Sequence, residues 1–188
     1  MHVLQVPRDE TGAQIVELAV VLPLLAVLIV GIMDFGQAFA IKQKLTFAAR
    51  DAARFGSSEP TNDLTQGQPP SVIAIRDLVD ADLLGGHIND CGLAATFPQG
   101  NGLLQWSETV TCPNSGSFTL TIDRGDVTPQ GGMSLPGANG PAYMISTHVT
   151  MSYPYQWHFN SVIRLLVPSA TYAGITQIQT DAIAPNQD

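Results

Sequence analysis

With 188 residues, a formal net charge of −8 and only 13% charged residues, the chain has room for one membrane segment and one modest globular domain. The negative charge argues against a nucleic-acid backbone as a partner, because phosphates repel an acidic surface. Apolar residues make up 45% of the chain, which argues against disorder, and 17 glycines with 13 prolines suggest a loop-rich body that contains β-structure.

A short polar stretch, MHVLQVPRDETG, precedes a long apolar run. From Ala13 to Met33 the run carries a single charge, Glu17. At a helical rise of about 1.5 Å per residue, it spans roughly 30 Å, the thickness of the hydrocarbon core of a bilayer. A secretory signal peptide has a shorter apolar run and a small-residue cleavage site after it. Here the small pair Gly12-Ala13 precedes the run, an order that fits cleavage on the cytoplasmic side with retention of the helix.

At these residues the sequence resembles the TadE-like pilins of tight-adherence (Flp-type) pilus systems. The resemblance rests on Gly12-Ala13 followed by Glu17, and on the blocks VELAVVLPLL, GIMDFGQAF and LTFAARDAARFG within about residues 10–56. Asp34 stands where the family usually has a glutamate. The resemblance implies that a prepilin peptidase cuts after Gly12, so that residues 1–12 are a leader peptide and Ala13 begins the mature chain.

The resemblance also implies that Glu17 pairs with the new amine of Ala13, on its own or a neighbouring subunit, within a filament core. Opposite charges attract strongly in a low dielectric, and neither is tolerated there alone. The alternative is an interfacial glutamate that the helix dipole stabilises. Pro23 removes one backbone hydrogen bond and predicts a kink or a loosened turn. That turn would let the helix stretch in a filament, whereas a plain membrane anchor merely tolerates it.

The pattern predicts one continuous helix from Ala13 to about Phe55, with Gly56 as its stop. We assign residues 13–56 to this helix, and 13–34 to its transmembrane or filament-core half. The second half is amphipathic and is predicted to be the spine on which the body packs. Its apolar positions are Phe35, Ala38, Leu45, Ala49 and Ala52, broadened by Phe39, Ala48 and Phe55.

Residues 57–188 are predicted to form a globular extracytoplasmic head. Its two cysteines, Cys91 and Cys112, predict one disulfide if the head is exported. The bond would close a loop of about twenty residues and stabilise the head by about 3 kcal/mol. The alternative is two unrelated buried thiols. The basic residues that follow the apolar run favour the opposite orientation when charges alone are counted, so the outward head rests on the motif and the cysteines.

The head is predicted to be a small antiparallel sheet that packs on the long helix, an α+β and pilin-like fold. After a linker, Ser71 predicts the N-cap of a helix that ends at Gly85-Gly86. Alternating apolar residues predict strands, and clusters of glycine and proline predict loops. The remaining predicted ranges are a linker at 59–70, a hairpin of 103–112 and 117–123 with its turn at 114–116, a loop at 125–141, a strand at 142–153 that Pro154 ends, a short helix at 161–167 and a last strand or helical turn at 171–182.

No catalytic constellation stands out, since neither a G-x-S-x-G elbow nor an H-E-x-x-H pair occurs. We therefore expect no enzyme activity, no cofactor and no metal. His87 and Cys91 are four apart in a predicted loop, which favours a surface histidine beside a disulfide. Arg124-Gly125-Asp126 matches the cell-adhesion tripeptide but predicts an ordinary turn that leaves a strand. The aromatic run from Tyr153 to Phe159 predicts core packing for part of its members and a subunit contact for the others.

The resemblance implies a structural subunit of a bacterial tight-adherence type IV pilus that assembles through its amino-terminal helix. The head is larger than the small major pilins of these systems, which favours a minor pilin or pseudopilin. Implied partners are other pilin subunits, a prepilin peptidase, the inner-membrane assembly platform and membrane lipid. The protein would occupy the bacterial inner membrane and then a surface filament for adhesion or colonisation. The alternative is a single-pass, membrane-anchored extracytoplasmic binding protein that forms no filament.

Overall fold

The computed structural model describes residues 10–100, 102, 104–113, 116–129, 143–158 and 175–187. These residues have the predicted α+β fold, in which five antiparallel strands follow two α-helices and a short 3-10 helix. The elements are α1 (Glu10–Ser58), α2 (Pro70–Gly85), the 3-10 helix (Leu93–Ala95), β1 (Gln99–Gly100), β2 (Gln105–Thr111), β3 (Ser117–Pro129), β4 (Tyr143–Gln156) and β5 (Ile175–Pro185).

The described residues divide into two compact units. The first unit holds the part of α1 up to Gln37 together with Trp157 and His158. The second unit, which we call the head unit, holds α1 from Ala38 onward, α2 and the sheet. The two-residue strand β1 is an addition to the predicted elements.

In the head unit, α1 presents a face of small residues to the core. The buried positions are Leu45, Ala48, Ala49, Ala52 and Ala53, each at most 2% exposed. Alanine side chains let the sheet and α2 approach the helix closely. The predicted spine is confirmed at Leu45, Ala48, Ala49 and Ala52, and Ala53 is an addition to it. The larger aromatic residues do not join this core: Phe35, Phe39 and Phe55 are 58%, 65% and 37% exposed, so the prediction that they belong to the seam is wrong.

Helix α1 continues past Gly56 to Ser58, so the predicted stop at Gly56 is wrong. A Cβ atom at Gly56 would lie 2.8 Å from both Ile75 Cδ1 and Thr147 Cγ2, closer than atoms pack. The glycine therefore allows close packing of α1 against α2 and β4. The N–H of Glu59 donates to the carbonyl of Gly56 at 3.2 Å and closes the last turn.

The first turn of α2 is capped by the side chain of Asp63, which precedes the helix. Its N-cap position is Pro69, which makes no side-chain capping bond, and Ser71 lies inside the helix. The predicted N-cap at Ser71 is therefore wrong. Instead, Ser71 donates its N–H and its hydroxyl to the Asp63 carboxylate at 2.8 and 3.1 Å. The predicted end at Gly85-Gly86 is confirmed, since the Gly86 N–H closes the last turn on the carbonyl of Asp82.

The sheet is a meander in which each strand pairs with the next along the chain. Strand β3 continues to Pro129 across an irregularity between Asp123 and Asp126, so the prediction of a loop from Gly125 is wrong for residues 125–129. Strand β4 pairs with β5 on both sides of Pro154, so the predicted end there is also wrong. Strand β5 begins within the range 171–182 that was predicted as a strand or a helical turn, and it continues beyond that range to Pro185.

The core of the head lies between the inner face of the sheet and the two helices. Strand β4 alternates as predicted from Thr147 to Tyr155, whereas Tyr143 and Ile145 are exposed. The predictions for residues 114–115, 130–141 and 161–167 lie outside the described residues. Buried apolar side chains from the sheet include Trp106, Phe118, Leu120, Ile122, Val149 and Met151.

Candidate assembly surface

The first half of α1 is an uncovered apolar surface. It is the one helix of the described residues that is long and apolar enough to cross a membrane, with a best window of mean hydropathy 2.9 that is 0% buried. Its large side chains are exposed: Val20 is 71% exposed and Leu24 is 70% exposed. Apolar area on this scale requires lipid or another protein to cover it.

One side of this half-helix is shaped into a shallow apolar groove of about 540 Å³. The lining residues recur at helical spacing, so they share one face. Gly31 contributes no side chain and leaves room beside its neighbours. A groove of this kind fits an apolar chain or a second helix, because small residues allow helices to approach closely. The lining is Leu24, Val27, Leu28, Gly31, Ile32 and Phe35.

Glu17 lies on an exposed turn of α1 near its start. Ala13 precedes it by four residues, so the two positions are neighbours on one face of the helix. Within the described part of the chain, no cation lies within salt-bridge distance of Glu17. The helix begins at Glu10, which places the Gly12-Ala13 bond in its first turn. The helix also runs through Pro23 without a break.

Asp34 is a buried acid that the sequence analysis noted only as a replacement within the motif. It is 3% exposed although it follows a long apolar run. Its Oδ1 lies 3.4 Å from Nδ1 of His158. The next residue, Phe35, packs edge-on against Trp157 with ring centroids 5.0 Å apart. The charge in an apolar context was the available sequence signal, but no spacing rule links Asp34 to a histidine 124 positions later.

The predicted disulfide between Cys91 and Cys112 is confirmed. It ties the loop after α2 to the end of β2 across a sequence separation of 21 residues. His87 lies exposed in the same loop, and the described residues hold no group of three or more side chains able to bind a metal. A disulfide persists in oxidising compartments, which agrees with an exported head.

The Arg124-Gly125-Asp126 tripeptide lies inside β3, so the predicted turn is wrong. Arg124 is 0% exposed and donates Nη2 to the carbonyl of Glu59 at 2.8 Å. A Cβ atom at Gly125 would lie 2.7 Å from Leu104 Cδ1, so the strand packs closely against that side chain. The arginine therefore serves the interior of the head and is not displayed for adhesion.

Several acids of the head lie in poorly solvated positions. Burial raises the pKa of Glu108, a 5% exposed residue of β2, and the positive charge of Arg76 partly opposes the shift. Burial also raises the pKa of Asp80, and Asp90 raises it further. At these positions burial disfavours the charged form of each carboxyl group relative to its protonated form.

Residues 12–54 match the family model described as TadE-like protein. The match begins at Gly12, ends at Arg54 and includes Glu17, Pro23 and Asp34, so the resemblance predicted from the residues is confirmed for this segment. No curated protein and no solved structure matches the chain. The family and the spanning-length helix together indicate a membrane-anchored protein. The amino-terminal helix is thus similar to the TadE-like family over residues 12–54, the part of the chain that the match covers.

Proposed function

We propose that this protein is a pilin-like structural subunit of a tight-adherence pilus, in the role of a minor pilin or pseudopilin. It is inserted in the bacterial inner membrane, cut after Gly12 and assembled through α1 into a surface filament. One observation carries the proposal: the TadE-like match starts at Gly12, in the first turn of a helix whose apolar window is 0% buried. A filament of such helices covers that surface by packing one copy on another.

Glu17 has a defined part in this proposal. Cleavage after Gly12 converts the backbone nitrogen of Ala13 into a positive amine one helical turn from Glu17. Either that amine or the amine of a neighbouring subunit then neutralises the carboxylate in an apolar core. An unpaired carboxylate in that position is costly, so pairing favours the assembled state over isolated subunits.

Pro23 provides the flexibility that assembly needs. A proline inside a helix has no N–H to donate, so the carbonyl of Ala19, four residues earlier, loses its helical partner. We propose that this turn lengthens when the helix leaves lipid and packs among other helices. The groove that begins at Leu24 lies immediately after the loosened turn.

The proposal assigns no reaction and no cofactor to the chain. Its partners are other pilin subunits, the prepilin peptidase, the inner-membrane assembly platform and membrane lipid. The head, held by its disulfide, projects from the membrane and then from the filament. The acidic head binds no nucleic acid.

The amino terminus of the protein from native membranes tests the processing step. Intact-mass analysis should find a chain that begins at Ala13. Replacing Gly12 with leucine should leave the leader in place and shift the mass accordingly, while replacing Gln14 with alanine should leave cleavage unchanged. A wild-type chain that keeps Met1 contradicts processing.

Shearing of cells tests assembly. We expect the wild-type protein in the sheared filament fraction and the Glu17→Ala variant in the membrane, cleaved but unassembled. The matched Gln14→Ala variant, which alters a polar side chain of the same turn, should shear off as the wild type does. If the wild-type protein stays with the membrane until detergent is added and forms no filament, the anchored binding protein is the correct function.

A further inference from the structure

In the head unit, the exposed side of α1 has two flanks that face different neighbours. On one flank the hydroxyl of Thr46 lies 3.0 Å from that of Thr180, and the carbonyl of Ser57 accepts from the N–H of Gln187 at 2.9 Å. These contacts place β5 and the residues after it along this side. We call it the β5 flank.

The β5 flank is basic and partly aromatic. Arg50 and Arg54 are exposed and follow Thr46 at successive turns, so they line the same side of the helix. Two adjoining grooves run along it, of about 490 and 520 Å³. The first has exposed Phe39 and Phe47 in its wall. Arg50 lines both grooves, and their other residues are Lys42, Gln43 and Thr46 in the first, and Arg54, Ser57, Ser58, Ala182–Pro185 and Gln187 in the second.

The other flank of α1 faces α2 and is acidic. Lys44 donates its ammonium to the carbonyl of Gly86 at 2.8 Å, which fixes the end of α2 against this side. Asp51 follows Lys44 by seven residues and is exposed on the same side. Gly86, which Lys44 contacts, donates its N–H to the carbonyl of Asp82, so Asp82 lies at the same end of α2, beside this side of α1. Burial raises the pKa of Asp82, and the negative charge of Asp51 raises it further. We call Asp51 and Asp82 the acidic pair.

The repeated Ala-Ala-Arg block of the sequence explains this division. Ala49 and Ala52 turn inward and are 0% exposed, while Arg50 and Asp51 turn outward about 100° apart around the helix. Arg50 and Asp51 therefore lie on different sides of α1, and Arg54, three residues after Asp51, lies between them around the helix. Within the described residues, no salt bridge joins the acidic pair to a cation of its own chain, and none occupies Arg50 or Arg54.

We propose that the basic β5 flank of one copy docks on the acidic pair of a second copy of this chain, head to tail. The proposal rests on the filament role above and adds the surface through which the heads meet. The occupant is a second copy because each chain carries both halves of the contact. Such a contact uses two different patches, so it does not close on itself as a two-fold dimer and instead extends into a ring or a helical array.

Charge complementarity makes the contact selective. The chain has a net charge of −8, so two heads repel each other unless the three cations of the β5 flank, Lys42, Arg50 and Arg54, face acids of the neighbour. Bringing the arginines to the acidic pair removes the repulsion between Asp51 and Asp82. The exposed rings of Phe39 and Phe47 add apolar area to the same contact.

Charge reversal of each side tests the docking. Differently tagged full-length copies are expressed in one membrane, extracted in mild detergent and co-purified. Arg50→Glu with Arg54→Glu makes both sides acidic, and Asp51→Lys with Asp82→Lys makes both sides basic. Each double variant alone should lose at least tenfold in co-purification. The two variants mixed should recover to within about twofold of wild type, which a folding defect in either one does not permit.

A control of equal charge change separates the contact from net charge. Asp126→Lys with Asp181→Lys alters the two acids around His148, and it should leave co-purification unchanged. As a second measurement, a copy with Arg54→Cys should form a disulfide with a copy carrying Asp51→Cys, and neither should do so with itself.

The outcomes separate the docking from the filament role. If the charge-reversed variants associate as wild type does, or if the mixture fails to recover, the head-to-tail contact is wrong. If wild-type filaments form and the reversed variants also assemble, the contact is wrong while the filament role stands. If the wild-type protein is neither cleaved nor self-associated, both proposals fall.

Discussion

Replacing Glu108 with glutamine should stabilise the head at neutral pH. The residue is 5% exposed in the middle of β2, between buried Trp106 and Val110. Neither carboxylate oxygen has a hydrogen-bond partner among the described residues. Burial raises the pKa of Glu108, because a charged carboxylate loses its hydration there.

The direction in which stability changes with pH follows from proton binding at Glu108. A raised pKa means that the folded state binds this proton more tightly than the unfolded state, so stability falls as pH rises above the ordinary glutamate pKa of about 4.5 and stops falling above the folded pKa. An unsatisfied buried polar group costs about 1–3 kcal/mol. Glutamine removes the charge but keeps polar atoms, so we expect a gain of about 1 kcal/mol at pH 7. The methionine variant, which is apolar and similar in shape, should gain at least as much.

The assay is reversible denaturation of the full chain in detergent, followed by the fluorescence of Trp106 and Trp157, at pH values from 4 to 8. The difference in unfolding free energy between the Glu108→Gln variant and wild type should be near zero at the acid end and grow as pH rises. The acids Asp80 and Asp82 contribute to both curves and cancel in the difference. A variant that is less stable at pH 7, by an amount independent of pH, refutes this reasoning.

Three further experiments probe the packing of the head. Serine at both Cys91 and Cys112 should lower the unfolding free energy by about 3 kcal/mol, and added reductant should mimic the loss. Gly56→Ala should cost about 1–3 kcal/mol in thermal unfolding, because its methyl group meets packed side chains, whereas Gly36→Ala meets nothing and should cost nothing. Asp63→Ala should cost about 1 kcal/mol and increase amide exchange in the first turn of α2; an unchanged exchange rate contradicts its role as the cap.

The amino-terminal helix was predictable because its signals are local. Neighbouring residues alone predict both halves of α1: an apolar run of spanning length in the first half and an alanine face in the second half. The position of Gly12 and Glu17 before that run also sufficed to identify the family segment. The disulfide followed from composition, since an exported chain with only two cysteines offers one pairing.

Other assignments failed where the deciding contact lies far along the chain. The sequence predicts a helix stop at Gly56, but in the structure this glycine is the point where α1 packs against Ile75 and Thr147. Ser71 reads as a cap, yet the carboxylate of Asp63 performs that role. Glycine at 125 reads as a turn, yet it lets β3 pass close to another side chain.

The sequence by itself therefore determined the apolar helix of spanning length, the α+β class and the cysteine pair, because composition and helical period act within a few residues. Tertiary structure decided that Arg124 is buried, that Asp34 is covered, and that α2 and β5 lie along different sides of α1. Each of these depends on which distant residues pack against the helix or strand. Burial and charge environment are properties of that packing, and residue order alone does not encode them in a local pattern.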